Sequence, residues 1–311
     1  MMNDTKKIMN QKNIHKNNDN NSIFNEKMLF NPFNELIAYE ALFNKIERPS
    51  FKHIQEKLDN LKPSHFLNFI EKSEIDEIRK QIKSIGLQSF NYLVKESKDY
   101  PQRLLSLSVQ LEILYYKGDI SLLNMPSVAI VGSRKASERG LSAAGFIASR
   151  LVGDGYAIVS GLAEGIDRAA HLAAIRAGGK TIAVIGTPLN ESYPPSNSAL
   201  QKSIEKKYLL VSQIPFVRYT KMNWSNRRYY FPERNKTMAA LTEATIIAEA
   251  SETSGTRTQA RECLRLNKKL IFLQPILDNP NITWPHRMLK EGAFVANNYS
   301  DVIRILKNEL V

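Results

Sequence analysis

Three short segments of this sequence set small residues and hydroxyls beside a cation, a combination suited to holding phosphate. Gly132-Ser133-Arg134-Lys135 pairs an accessible main chain with two cations, and the arginine fork can take two phosphate oxygens. Ser160-Gly161 opens the run SGLAEGID, followed by Arg168 and His171. Ser254-Gly255-Thr256-Arg257 offers hydroxyls and bare N–H groups where a helix is expected to begin, an anion-binding arrangement. Between Arg218 and Lys236 lie six basic residues (Arg218, Lys221, Arg227, Arg228, Arg234, Lys236) and one acid, Glu233, with Asn235 among them. Phe216, Tyr219, Trp224, Tyr229, Tyr230 and Phe231 belong to the same stretch or its edge. Cations interleaved with rings suit an unpaired nucleic-acid strand, because phosphates meet the cations while bases stack on the rings. Any one of these turns also reads as an ordinary βα turn with a helix cap, and some of the aromatics as core. The expectation of a binding site rests on their convergence.

Other motifs fail on their own chemistry. Gly179-Lys180-Thr181 ends like a P-loop, but position 174 is alanine where glycine is required, and the segment precedes a strand instead of following one. No GxGxxG follows the first strand of the α/β region, so no dinucleotide cofactor is expected. Asp167 and His171 are one carboxylate and one imidazole at helical spacing, too few for a metal. His171 reads as a packing residue; Asp167 reads as a helix cap or a loop brace. Cys263, on an apolar helix face, reads as core. No nucleophile triad or carboxylate pair emerges, so a binder is expected, with no catalytic residue, cofactor or metal.

The elements that must position these residues follow from periodicity. Ser127–Val131, Tyr156–Ser160, Thr181–Ile185, Leu209–Ser212, Ala244–Glu249 and Leu270–Leu273 are short apolar, β-branched runs, with helical stretches such as Glu138–Val152 and Asp167–Ala177 between them. Strands apolar on both sides predict a parallel sheet covered on each face. The fold class is therefore α/β, an extended Rossmann-like, doubly wound and mostly parallel sheet over 97–311, whose ligands should sit beyond the carboxyl ends of the strands. Residues 31–96 read as a small helical module of SAM or helix-hairpin type, followed by an extended or helical linker to Pro126. Residues 1–30, rich in Asn and Lys, read as a disordered tail.

Charge agrees with a polyanionic ligand. The 311 residues carry 43 Lys+Arg against 31 Asp+Glu, net +12, and residues 127–272 alone hold 21 basic against 11 acidic. A single cysteine excludes an intramolecular disulfide framework and a Cys-rich zinc site. The absence of an 18-residue apolar run predicts no membrane span, and without a signal-like start the expected compartment is the cytoplasm.

Several blocks, in order, resemble the DNA-processing protein A family, DprA or Smf: DYPQRLLSL, ILYYKGDISLLNMPSVAIVGSRKAS, SGLAEGIDRAAHLAAIRAGGKTIAVIGT, YPPSN, FPERNKTMAALTEATIIAEASETSGT and MLKEGAFV. The resemblance spans about residues 97–305. It implies an extended Rossmann fold that binds single-stranded DNA, shields it during natural transformation and helps load RecA recombinase, usually as a homodimer and without known catalysis. Carried over by motif, Gly132, Ser133 and Arg134 hold phosphate. Phe231 contacts a base, Arg234, Asn235 and Lys236 the backbone, and Ser254, Gly255 and Thr256 add main-chain contacts. Arg257 stands where members often have an apolar residue or serine. Many members end in a winged helix, which is not expected in a chain stopping at Val311. Two other readings are a nucleotide phosphoribohydrolase-like enzyme, with Glu262 as its carboxylate, and a DprA-like defence or sensing module.

Overall fold

The computed structural model describes residues 30–46 and 50–309, so the tail reading for 1–30 falls almost wholly outside the described residues. Among the described residues three α-helices come first: α1 (Pro32–Lys45), α2 (Phe51–Leu58) and α3 (Lys72–Ile85). The sheet then builds through β1 (Asn91–Val94), β2 (Ile113–Gly118), β3 (Ser127–Gly132), α4 (Glu138–Gly153), β4 (Ala157–Ser160), α5 (Ile166–Arg176), β5 (Thr181–Ile185), α6 (Ser198–Lys207) and β6 (Leu209–Ser212). Short helices α7 (Phe216–Thr220) and α8 (Trp224–Arg227) lead into α9 (Tyr230–Leu241), β7 (Ala244–Glu249), α10 (Thr256–Arg265) and β8 (Lys269–Leu273). After α11 (Gln274–Leu277) and α12 (Trp284–Lys290), β9 (Phe294–Ala296) and α13 (Tyr299–Lys307) complete the fold.

The nine strands lie in the order β1-β2-β6-β5-β4-β3-β7-β8-β9. From β6 to β9 every pairing is parallel; β2 runs antiparallel to β6 and β1 antiparallel to β2. The order reverses direction at β3, where chain connections pass to β4 on one side and to β7 on the other. That switch point opens a crevice at the carboxyl ends. Two cores sandwich the sheet. One packs Val128, Ile130, Ile158, Ile246 and Ile271 under α4, α5 and α13. The other packs Ala129, Val159, Val184 and Phe272 under α9, α10 and the N-terminal helices. All six expected strands are present within a residue of their expected ends. Among the described residues no helix is long and apolar enough to cross a membrane.

Three strands depart from expectation. NYLV, read as helical, is edge strand β1, and β2 lies in the stretch read as a linker. Four residues carry too little pattern to separate strand from helix, and pairing with β2 decides the matter. β9 is only three residues long.

The described residues from Pro32 onward form one compact unit, and within it α1 buries every residue from Glu35 to Phe43. Glu40, fully buried, accepts hydrogen bonds from Tyr115 Oη (2.8 Å) and from the backbone N–H groups of Phe216 (2.9 Å) and Val217 (3.0 Å). One carboxylate thus joins α1, β2 and the start of the basic-aromatic stretch. Burial pushes its pKa up to about 6, against those three donors.

His171 on α5 is a core residue, as its sequence context predicts. Its Nδ1 lies 2.7 Å from Thr181 Oγ1, which itself donates to Ile158 O, so Nδ1 carries the proton. Burial pulls the imidazole down to about 3. Because the folded pKa is depressed, the unfolded chain binds the extra proton. The contribution is fully present above roughly pH 6.5 and lost as pH falls toward 3. Between pH 7.5 and 5.0 this group alone should cost about 2 kcal/mol of stability. Glu40 acts with the opposite sign, adding stability at acid pH that is lost as pH rises through about 6. Urea melts of wild type and His171→Asn at both pH values isolate the histidine, since Glu40 is common to the two. Identical pH dependence would refute the assignment.

Candidate nucleic-acid interface

A cleft of about 800 Å³ opens at the carboxyl ends of β3 and β7. Three of the expected segments meet there. Gly132, Ser133, Arg134 and Lys135 form one wall, Ser254, Gly255 and Thr256 another, and Arg228, Phe231, Arg234 and Asn235 a third. Arg134, Lys135 and Arg228 are exposed, and among the described lining residues the only carboxylate is the buried Asp167. The cleft is therefore strongly cationic.

The GSR turn is held by close backbone approach. Gly132 must be glycine, because a Cβ there would lie 2.5 Å from Glu249 O. Ser133 N donates to that same oxygen (2.8 Å), Ser133 O accepts from Ile166 N (3.2 Å), and Lys135 N donates to Ser133 Oγ (3.2 Å). Gly165 packs beneath with φ 72°, and a Cβ there would meet Ser133 O at 2.3 Å. The next helix start is held from within: Ser137 Oγ accepts from Gly140 N (3.0 Å), and the Glu249 carboxylate accepts from Ser137 N and Oγ. Arg134 and Lys135 thus carry this wall's attraction for anions.

At the SGT turn, Ser254 Oγ and Thr256 Oγ1 lie 2.8 Å apart, and Thr256 N donates to Ser254 Oγ (3.3 Å). Gly255 is exposed and nothing lies within 4 Å of where its Cβ would be, so its main chain is open to a ligand. Asn235 Nδ2 donates to Gly255 O (3.1 Å), tying this turn to α9.

Aromatic residues form the remaining wall. Phe231 is half-buried and seated on Gly186, where a Cβ would come within 2.6 Å of its ring. Arg134 Cζ stands 5.7 Å from the Phe231 centroid. Tyr193 lies 5.4 Å from Phe231 and 4.7 Å from Trp224, centroid to centroid. Trp224 is 47% exposed, so its face is available for stacking. Sequence reasoning misses Tyr193: it is 38 positions before Phe231 in the chain, and only its YPPSN block marks it.

Several expected ligand groups serve the scaffold instead. Ser160 is fully buried, its Oγ donating to Ile130 O (2.7 Å), and Gly161 N donates to Asp167 Oδ2 (3.0 Å). Asp167 is therefore the loop brace, holding Gly161 and Ala163, and burial raises its carboxyl pKa against the pull of Arg234. Arg234, only 5% exposed, gives Nη1 to Gly161 O (2.6 Å) and Val184 O (2.5 Å) and Nε to Asn235 Oδ1 (2.9 Å). Burial lowers it to about 10, so it remains a cation. It contributes charge to the cleft from behind the wall. Lys236 pairs with Glu233 at 2.7 Å, and Arg227 donates Nε to Met222 O (3.0 Å) with Cζ 4.4 Å from the Tyr219 centroid. Neither these two nor the half-buried Arg257 lines the cleft. Tyr230 is fully buried, and Tyr229 packs on Phe51, so neither serves as a stacking platform. Glu262 lies outside the cleft, gripped by Arg265 through two bonds (3.0 and 2.7 Å). Cys263 is core, as expected.

Comparison with known proteins follows the same lines. A family model described as DNA recombination-mediator protein A matches residues 91–307. The chain is 35% identical over 204 residues to the DNA processing protein DprA of Streptococcus pneumoniae, covering 66% of this chain and 70% of that protein. It is similar to the X-ray structure of DprA from the same species, with a TM-score of 0.68 at 28% identity over 86% of this chain and 96% of that one. It also resembles DprA of Helicobacter pylori, with a TM-score of 0.60 at 28% identity over 71% and 98%. That structure is described as giving insight into a single-stranded DNA binding mode.

Proposed function

This chain belongs to the DNA recombination-mediator protein A family, and from that membership we propose that its cleft binds single-stranded DNA in the DprA manner, in transformation or recombination. The observation that carries the reading is the convergence of the GSR turn, the SGT turn and the Tyr193–Trp224–Phe231 rings on one cationic cleft. Arg134, Lys135 and Arg228 neutralise phosphates; the open main chain at Gly255 of the SGT turn fixes the strand's path; Phe231 and Trp224 stack bases. Arg234 and Asn235 hold the walls. A binding role, not a catalytic one, is favoured by a lining of cations and rings with a single buried carboxylate. RecA as partner, a homodimer and a cytoplasmic setting are further proposals, supported by the family resemblance.

The test is fluorescence anisotropy with labelled oligo-dT and with duplex across a salt series. With these three phosphates neutralised, log K should fall against log salt with a slope of about −2. Stacking needs unpaired bases, so the single strand should win. Arg134→Ala should weaken all sequences alike and make the slope shallower by about 0.7. A flat salt response, or equal affinity for duplex, would remove the proposal.

A further inference from the structure

The structure assigns Glu249 a role in this reading: it is the positioning residue of the phosphate loop, an internal anion at the start of α4 that holds Arg134 and Lys135 toward the DNA. The inference rests on the cleft being the DNA site. Glu249 is the last residue of β7, beside Gly132 at a register shift in the β3–β7 ladder. Its carbonyl accepts Ser133 N (2.8 Å), and its carboxylate accepts Ser137 N (3.0 and 3.2 Å) and Ser137 Oγ (2.5 Å). One residue thus grips both ends of Ser133–Ser137, the segment that carries the two exposed cations.

Its carboxylate stands where nucleotide-binding sheets of this kind accept a phosphate, at the N-terminus of the helix after the first parallel strand. α4 has 16 residues, so its dipole favours an anion there. With that place filled from inside, the attraction left for DNA phosphates is on Arg134 and Lys135. Gly140 supports the arrangement: a Cβ there would lie 2.3 Å from Glu249 Oε2, so glycine in the first turns of α4 leaves room for the carboxylate. Helix propensity by itself would prefer alanine at that position.

Three variants test this in oligo-dT anisotropy over a salt series, with melts to confirm folding. Glu249→Ala should weaken binding by about tenfold and make the salt slope shallower by about 0.7 for each phosphate no longer neutralised. Glu249→Gln, whose amide oxygen still accepts from Ser137, should restore most of the affinity and the wild-type slope. Gly140→Ala presses chiefly on the Glu249 carboxylate, with a lesser contact at its Cβ (3.3 Å), and should reproduce the Glu249→Ala slope, with the double variant no worse than either single one. Loss of stability lowers the competent fraction without changing the number of phosphates neutralised. Weaker binding at an unchanged slope would therefore overturn the inference, as would wild-type behaviour of Gly140→Ala. If wild type itself fails to bind the single strand, the DNA reading falls and the inference with it.

Discussion

Removing the two cleft rings, exposed Trp224 and half-buried Phe231, should produce the largest loss of binding in this protein. Phe231→Ala and Trp224→Ala are each expected to cost about 1–3 kcal/mol of affinity for oligo-dT, the range for one stacked base. The rings belong to one cluster, with centroids 6.4 Å apart and Tyr193 touching both, so the double variant should fall short of the sum. Leucine at either position keeps apolar volume without a π face and should recover little. The salt slope should stay near the wild-type value, since no cation is removed. Anisotropy with oligo-dT and with an abasic oligomer of equal length checks the cause. If the variants weaken both oligomers equally, the rings do not read bases.

Arg234→Ala should give the largest loss of stability. Gly161 O and Val184 O would lose their shared donor, and Asp167 would keep its buried place without the cation that offsets the cost of its burial. Removing one charged group from such a buried arrangement costs about 3–5 kcal/mol. Arg234→Lys restores charge but not the Nε bond to Asn235, and with it the link from α9 to Gly255, so it should recover only part. Urea denaturation measures the effect. A variant within about 1 kcal/mol of wild type would show that these bonds are replaceable.

This distinction separates two kinds of arginine that look alike in sequence. Arg134 follows a β-strand in a glycine turn and projects into the cleft; Arg234 sits in a helix whose inner face meets the loop after β4 and strand β5 itself. Both lie in motifs shared with the family, and by motif both are expected on phosphate. Only the packing of α9 against the sheet turns one of them inward. Arg227 and Lys236 illustrate the same point, each spent on a neighbour of its own segment, a carbonyl and a ring for one and Glu233 for the other.

By itself the sequence determined the parallel sheet, because strands apolar on both sides have no stable place except between two layers. It also marked three turns as candidates for phosphate, because glycine and hydroxyl content is a local property of the chain; two of them line the cleft and the third, at Ser160-Gly161, is tied into the scaffold. Tertiary structure alone decided that Tyr193 joins Trp224 and Phe231, that Ser160 and Arg234 brace loops, and that Glu249 fills the helix start beside Arg134. These outcomes depend on contacts between residues tens of positions or more apart. A side chain's exposure and partners follow from what the fold brings against it, and no local pattern carries that information.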